Sequence, residues 1–499
     1  MRTLSKSKLL AYRQCPKRLW LEVNHPELRA DSAATTASFS VGNQVGEIAR
    51  AVYDSAGKGV LINPQEEGFE AAFARSQTLL KSSAPIFEAG FKAEGVLAFA
   101  DVMLPAKKGN RKVWRMVEVK SSTSVKDYHQ DDAAIQAFVA QAAGVPLQAI
   151  ALAHIDSEWV YPGKQDYQGL LKEEDLSDAV MGRGPEVQEW IAGAQKVLTK
   201  RKAPSIQTGK QCAQPFECGF LAHCRSQEPQ AEFPVAWLPG RMSAALARAA
   251  VQPYSVDMKD VPDECLTDVQ QRVKQVTLSN KVHFDKRATK DALAHYKLPA
   301  YFMDFETVQF AVPMWRGTRP YQQIPFQFSV HRLDAKGQLR QHAFLDVNGK
   351  DPSKAFALAL IEACGKRGPI FVYNAGFELA RVKELAHRFK ALAPALNALI
   401  PRVVDLLPIA RQHYYHPSQQ GSWSIKAVLP ALCPELSYSE LSGVQNGGMA
   451  MEAFMEAIQP QTTAERKAEI KQQLLAYCAL DTFAMVKIWS KFTGFALKA

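Results

Sequence analysis

The sequence lacks any apolar stretch approaching the roughly 20 consecutive residues of a membrane-spanning helix, and near its N-terminus only Leu9-Leu10-Ala11-Tyr12 forms a short apolar block. A secretory signal peptide needs a longer block. Cysteine is scarce as well, because eight residues in a chain of 499 are too few for a secreted disulfide scaffold. We therefore expect a cytoplasmic protein without a membrane partner, in which clustered cysteines form a metal site or are buried thiols.

The composition is otherwise that of a soluble globular protein, with 47% hydrophobic and 22% charged residues. This composition excludes the disordered and collagen-like classes, and the sequence contains no evident repeat or low-complexity tract. Lys and Arg number 60 against 50 Asp and Glu, so the net charge of +10 favours a polyanionic partner such as nucleic acid. At about 150 residues per domain, the length predicts two or three domains.

The pattern along the chain divides into three zones. Residues 1–228 mix helical and strand patterns, and residues 229–298 begin with several prolines and continue as a charged helical pattern. We interpret residues 229–298 as a helical connector. Residues 299–499 alternate strands and helices from Tyr301 onward, and a long final helix is predicted to begin at a capping box on Thr462. The chain as a whole is predicted to be α/β.

A first set of chemically suggestive residues lies on a predicted hairpin of residues 96–104 and 113–120. Glu118 and Lys120 project from one face because strand side chains repeat every two residues, and the neighbouring strand can bring Asp101 beside them. Carboxylates that hold Mg²⁺ or Mn²⁺, with an ammonium nearby, suit metal-dependent phosphodiester hydrolysis. The alternative is a surface hairpin that happens to end in a Glu and a Lys.

This pattern, followed by a helix that carries Gln136, resembles the PD-(D/E)xK nuclease core of the RecB family. The resemblance implies a restriction-endonuclease-like fold for residues 1–228. It also implies that Asp101 and Glu118 are metal ligands, that Lys120 is the catalytic lysine and that Gln136 supports the site.

Residues 42–47 resemble an early helix motif of the same family, in which a histidine often stands at the position of Gly46. This departure removes one expected metal ligand and leaves Glu47 as its substitute.

Four cysteines form a second set, one early in the chain and three late. Cys212, Cys218 and Cys224 are spaced C-x5-C-x5-C, and Cys15 lies near the N-terminus. Four thiolates satisfy a 4Fe–4S cluster or a structural zinc ion, and buried free thiols are the alternative.

Nucleases that resemble the first zone, including the CRISPR-associated iron–sulfur exonucleases, bind 4Fe–4S through one N-terminal cysteine and three after the nuclease core. The resemblance therefore implies a 4Fe–4S cluster on Cys15, Cys212, Cys218 and Cys224. Zinc stays an alternative because most of these relatives have C-x2-C in the late group. The other cysteines are interpreted as structural: Cys265, Cys364, Cys433 and Cys478.

A third set of acidic residues lies in the C-terminal zone. Asp304 and Glu306 share one face of its first strand, and Glu378 stands at the start of a helix after the strand-like run 370–373. In the final helix, Tyr477 and Asp481 are four residues apart and share a face that is otherwise apolar. A carboxylate in such a stripe is unexpected unless the core there contains a cation.

This set resembles the DEDD exonucleases of the RNase H-like superfamily, in the subgroup with Tyr-x3-Asp in the third motif. The resemblance implies a mixed-sheet domain in which Tyr477 orients the attacking water, Asp405 plays a supporting role, and two Mg²⁺ or Mn²⁺ ions are bound by Asp304, Glu306, Glu378 and Asp481. Relatives usually have Asp where Glu378 stands. The aromatic segment 413–416 and Trp423 are interpreted either as base-stacking residues or as a packed loop.

Together, the resemblances describe a bacterial family in which a RecB-like iron–sulfur nuclease is fused to a DEDD exonuclease-like domain. We expect a metal-dependent DNA exonuclease with two active sites. The alternatives are an RNA-directed 3′–5′ exonuclease and a nucleic-acid-binding scaffold with one or both sites inactive.

Overall fold

The computed structural model describes residues 2–249 and 253–497. The chain divides into two compact units, the first made of residues 1–228 and 310–321, and the second of residues 229–309 and 322–499. Each unit combines helices with a mixed sheet, so the predicted α/β class is confirmed.

One seven-stranded mixed sheet forms the framework of the first unit. Its strands are β1 (Leu4–Ser5), β2 (Val60–Leu61), β3 (Ile86–Ala93), β4 (Val96–Lys108), β5 (Arg111–Lys120), β6 (Leu147–Ile155) and β7 (Leu171–Asp175). Strands β2 to β7 lie in sequential order, and β1 pairs with β4. The α-helices are α1 (Lys6–Gln14), α2 (Pro16–Asn24), α3 (Ala33–Tyr53), α4 (Pro64–Glu67), α5 (Phe69–Leu79), α6 (Asp127–Ala142), α7 (Ser177–Val180), α8 (Gly184–Leu198) and α9 (Leu221–Ser226).

The predicted hairpin is formed by β4 and β5, which pair antiparallel with Val102 opposite Val117. Gly109 lies in the connecting turn with a φ of 60°, a left-handed conformation that glycine adopts without strain. This register makes Asp101 and Glu118 neighbours across the two strands.

Helix α6 packs on this sheet through a face of small side chains, Ala133, Ala134, Ala137 and Ala140, which are fully buried. Alanines leave no bulk between helix and sheet, so the helix backbone lies close to the strands. Asp132 and Gln136, four residues apart, share one face of this helix. The close packing brings both polar side chains to the end of β5.

A five-stranded mixed sheet forms the framework of the second unit. The strands of this unit are β8 (His283–Phe284), β9 (Ala300–Val308), β10 (Ile324–Leu333), β11 (Leu339–Leu345), β12 (Ile370–Val372), β13 (Val403–Asp405) and β14 (Tyr414–Tyr415). The sheet order is β11-β10-β9-β12-β13, and β8 pairs separately with β14. The α-helices are α10 (Ala244–Ala249), α11 (Asp268–Ser279), α12 (Lys286–Leu293), α13 (Ser353–Cys364), α14 (Gly376–Arg388), α15 (Ala393–Asn397), α16 (Leu406–His413), α17 (Ile425–Leu432), α18 (Gly447–Ala457) and α19 (Ala464–Thr493).

The two faces of this second sheet differ in polarity. Met303 and Phe305 of β9 are buried in the apolar core that contains α13. The opposite face is polar: Gln327 of β10 pairs with Glu306, and its side-chain amide donates to the carbonyl of Leu474 in α19 over 2.7 Å. A buried polar face of this kind places the carboxylates of β9 beneath α19.

Residues 229–298, which we interpreted as a connector, lie in the second unit and contribute to its core. Val235, Met258 and Val273 are buried in one apolar cluster with Phe302 of β9 and Trp489 of α19. Their apolar side chains therefore have a packing role within the sheet-containing unit.

The final helix begins one residue later than predicted. Thr463, rather than Thr462, is the N-cap, and its hydroxyl accepts from the backbone N–H of Arg466. The predicted stripe on this helix is buried as expected, at Ile470, Leu474, Tyr477, Asp481 and Met485.

Within the described ranges, no helix has both the length and the apolar character that a membrane crossing requires.

Residues 310–321 lie between β9 and β10 in sequence but fold with the first unit. Ala311 and Val312 are buried in an apolar cluster with Val45 of α3, Ile155 of β6 and Leu170. This segment therefore completes the packing around the end of β6.

A charged side chain within this apolar cluster is expected to destabilise the first unit locally. Val312→Asp places an unpaired carboxylate at a site that is 3% exposed, which we expect to cost roughly 3 kcal/mol. Hydrogen–deuterium exchange should then rise in α3 and around Ile155. Met314→Asp, at a 43% exposed position of the same segment, is the control and should leave exchange unchanged; equal effects of both variants would refute the packing role.

Candidate active sites

The first site contains Asp101, in the middle of β4, and Glu118 and Lys120, near the end of β5. The Glu118 carboxylate is 1% exposed, and its Oε1 accepts from Lys120 Nζ over 2.6 Å and from Lys6 Nζ over 3.0 Å. Its Oε2 accepts from the side-chain amide of Gln136. The structure thus brings Glu118, Lys120 and Gln136 together.

Two members of this network were missed in the sequence. Asp132 Oδ2 lies 2.6 Å from Lys120 Nζ, and its Oδ1 lies 2.9 Å from Lys6 Nζ. The neighbouring ammonium groups hold the pKa of Asp132 far below its usual range, although burial acts in the opposite direction. The four-residue spacing of Asp132 and Gln136 on α6 was a usable signal; Lys6, from the other end of the unit, offered none.

Asp101 lies beside this network with its charge less well compensated. Its Oδ2 accepts from the backbone N–H of Val119 over 2.7 Å. Burial and the nearby Glu118 charge raise the pKa of Asp101 well above its usual value. Glu88 of β3, also missed, has a pKa raised by burial and by Glu118, and a strained φ of 56°. Carboxyl groups whose ionisation is suppressed by one another favour a nearby cation.

Glu47 lies outside this network. It is exposed on α3, and its carboxylate makes no hydrogen bond or ion pair with any other described residue. A Cβ added at Gly46 would meet open space, so a larger side chain fits there.

The four predicted cysteine ligands line one cavity of the first unit. Cys15 is the extended residue between α1 and α2, while Cys218 and Cys224 flank Phe220 in the late segment. The amide of Gln14 ties the two segments together, donating to the carbonyl of Gln211 over 2.7 Å and to that of Phe216 over 2.8 Å.

Burial raises the pKa of the Cys218 and Cys224 thiols. Nearby cations, Arg18 for Cys218 and Lys17 for Cys224, oppose this effect. All four cysteines belong to the described chain, and within it no three of their Sγ atoms lie within 4.8 Å of one another. The four thiols therefore line one cavity, but no three of them are in close mutual contact.

The second site consists of Asp304, Glu306, Glu378 and Asp481 with Tyr477, and the structure brings these side chains together. Asp304 is partly buried and the other four are buried. Burial and the neighbouring carboxylates raise the pKa of Glu306 to about 8, and burial raises that of Asp481 to about 6. The same causes raise the pKa of Asp304 well above its usual value. One oxygen each of Asp304 and Glu306 lies within 4.8 Å of Cys478 Sγ.

Among the described carboxylates of this site, Glu378 is the one with a buried oxygen that accepts no hydrogen bond. It is 3% exposed, and its Oε2 has no hydrogen-bond partner among the described residues. Burial raises its pKa to about 7, with a further contribution from Asp405. A buried carboxylate oxygen without a donor is costly unless a ligand supplies one.

Asp405 supports the site through the backbone. Its carboxylate accepts from the N–H groups of Asn374, Ala375 and Leu407 over 2.9 to 3.0 Å. These bonds fix the turn that precedes α14, and Glu378 is the third residue of that helix. Asp405 itself caps α16 and has all these donors in place, so it acts as a structural residue beside the carboxylates.

Two aromatic residues and a lysine adjoin Asp481. The hydroxyl of Tyr438 donates to Asp481 Oδ1 over 2.6 Å. Lys426 Nζ lies 4.9 Å from the ring centre of Tyr477 and 5.2 Å from that of Tyr438. The charge of Lys426 opposes the rise in the pKa of both Glu306 and Asp481, although burial outweighs it. Tyr438 was missed because it lies on a short 3-10 turn without periodic pattern.

The aromatic residues near α16 are packed in the core. Tyr414, Tyr415 and Trp423 are at most 5% exposed and belong to the main apolar cluster of the second unit. The base-stacking interpretation is therefore wrong for these three rings, and the packed-loop alternative is correct.

A protein-family model described as "Domain of unknown function (DUF2779)" matches residues 301–424. The matched segment includes Asp304, Glu306, Glu378 and Asp405 and ends before Tyr477. No curated protein matches the chain.

The crowded carboxylates predict a pH-dependent stability in the absence of divalent ions. The folded protein keeps the Glu306 proton up to about pH 8, whereas the unfolded chain releases it near 4.5, so Glu306 lowers stability progressively as pH rises between these values. With chelator present, Glu306→Gln should raise the Tm at about pH 8.5 and have little effect at about pH 5, as measured by calorimetry. Glu435→Gln, at an exposed position, is the control. An equal Tm change at both pH values would contradict this prediction.

Proposed function

We propose that the protein is a metal-dependent nuclease that hydrolyses phosphodiester bonds in DNA through two active sites. The observation that carries this proposal is the second site, where four carboxylates lie close together, three of them buried and Asp304 partly buried, and where Glu378 Oε2 has no hydrogen-bond donor among the described residues. Mutual repulsion of this kind is compensated when a divalent cation is bound. The donor set, all carboxylate oxygens apart from the neighbouring Cys478 thiol, suits Mg²⁺ or Mn²⁺.

In the second site, Asp304, Glu306, Glu378 and Asp481 would hold the metal, which when bound supplies Lewis-acid stabilisation of phosphate charge. Tyr438 fixes the Asp481 carboxylate by its 2.6 Å hydrogen bond. The Tyr477 hydroxyl is neutral, because burial and the carboxylates raise its pKa. It therefore acts as a hydrogen-bond partner that orients a water molecule, which agrees with the role that the exonuclease resemblance implies.

In the first site, Asp101 and Glu118 would hold a metal. A carboxylate has about four acceptor positions, and the two lysines and Gln136 use three of those on Glu118, so one remains for a cation. Burial lowers the pKa of Lys120 but the surrounding carboxylates raise it further, with a net rise well above the usual value. Lys120 is consequently a permanent ammonium that can stabilise phosphate charge.

We further propose that the cysteine set binds 4Fe–4S. All four cysteines line one cavity of the first unit, and four cysteine thiolates are the ligand set of such a cluster. Lys17 and Arg18 lie near two of the thiols and would offset the negative charge of a thiolate-ligated cluster.

Substitution of one ligand in each unit tests the proposed activities. Glu118→Ala and Asp304→Ala should each reduce one activity by more than the 10–100-fold typical of groups that only support a ligand. The measurement is cleavage of labelled single-stranded DNA, duplex DNA and RNA with Mg²⁺ or Mn²⁺. Glu47→Ala is the control in the first unit and should stay close to wild type. If wild-type protein cuts none of these substrates, the nuclease proposal fails; if it cuts RNA alone, the DNA assignment fails.

Anaerobic purification tests the cluster. The wild-type protein should be brown, with broad absorbance near about 400 nm, and should contain about four iron atoms per chain. Cys218→Ser should lose the absorbance, whereas Cys265→Ser should keep it. A colourless wild-type protein that contains stoichiometric zinc would overturn the iron–sulfur assignment.

A further inference from the structure

Lys6 occupies an unusual position for a lysine. It is the first residue of α1, after the N-cap Ser5, so its charge lies at the positive end of the helix dipole. Lysine is unfavourable there unless a nearby carboxylate compensates it. The side chain reaches Glu118 and Asp132, which are 112 and 126 positions away in the sequence, over 3.0 and 2.9 Å.

Lys6 and Lys120 make equivalent contacts in the first site. Each ammonium donates to both Glu118 and Asp132. An ammonium group has three donors, so each lysine retains one after these two contacts. Within the described chain, no other side chain or carbonyl accepts from Lys6 or Lys120.

The two carboxylates are less exposed to solvent than the two lysines that contact them. The side chains of Glu118 and Asp132 are 1% and 5% exposed, whereas those of Lys6 and Lys120 are 21% and 25% exposed. The side chains of Lys6 and Lys120 therefore reach solvent, whereas the carboxylates that they contact are enclosed. A polyanion that approaches this site contacts the lysine side chains before the carboxylates.

We propose that Lys6 is a phosphate-binding residue of the first site, which works beside Lys120 to hold a nucleic-acid strand against Glu118. This inference rests on the proposed nuclease function of the first unit. The buried carboxylates orient both ammonium groups, and the remaining donor of Lys6 binds a non-bridging phosphate oxygen. Lys120 belongs to the predicted catalytic motif; Lys6 adds a second cation from the N-terminal segment, which contributes to binding rather than to bond cleavage.

The test is the salt dependence of binding to a fluorescent single-stranded oligonucleotide in the presence of EDTA. Loss of one phosphate contact should reduce the slope of log K against log salt by about 0.7 for single-stranded DNA. We expect this reduction, together with weaker binding, for Lys6→Met. Lys6→Arg keeps the charge and should keep the slope. Lys8→Met, two residues along the same helix and without an ion pair to another described residue, is the matched control and should match wild type.

Folding of each variant is checked by its Tm, because Lys6→Met leaves Asp132 with one ammonium partner. If Lys6→Met is unfolded, the double variant with Lys6→Met and Asp132→Asn removes one charge of each sign, and its slope is compared instead. A folded variant that lacks Lys6 but keeps the wild-type slope refutes the phosphate-binding role, even if the nuclease proposal stands. A wild-type protein that binds no oligonucleotide and cuts none refutes both.

Discussion

The burial of carboxylates is the constraint on which both sites depend. A carboxylate removed from water is costly unless charge or hydrogen bonds compensate it. In the first unit the chain supplies this compensation itself, because Lys6, Lys120 and Gln136 each contact both Glu118 and Asp132. In the second unit compensation is incomplete: Lys426 and Tyr438 act on Asp481, while one oxygen of Glu378 has no partner in the part of the chain that the structure describes.

This difference has consequences for how each site holds its shape without a metal. In the first network, Glu118 and Asp132 are each held by both lysines and by Gln136. These contacts define the side-chain positions without a metal, so a cation would enter an ordered site. The second site is held by its backbone frame instead. Asp405 fixes the turn before α14, and the polar face of the sheet fixes α19 through Gln327 and Ser329. Protonation of Glu306 and its neighbours then lowers the repulsion among the carboxylates.

Sequence periodicity predicted the parts of these sites that lie on one element. The two-residue repeat placed Glu118 with Lys120, and the four-residue repeat placed Tyr477 with Asp481. It did not predict Lys6, because the contact with Asp132 joins two distant segments and depends on how α1 packs. Nor did it predict that residues 229–298 pack in the second unit, since apolar residues there have a helical pattern that does not say which core they join. The N-cap was predicted at Thr462 instead of Thr463 because the local sequence does not distinguish two adjacent threonines.

The N-terminal helix connects two features that the sequence presents as separate. Helix α1 has Lys6 at its first position and ends at Gln14, whose amide binds the late cysteine segment, and Cys15 follows directly. Nine helical residues span about 14 Å at 1.5 Å per residue. Because the helix is this short, the hydrogen bonds that hold Gln14 to the late segment also help to position the Lys6 ammonium beside Glu118. The backbone between Cys212 and Cys218 is thereby linked, through one helix, to the charge balance of the first site.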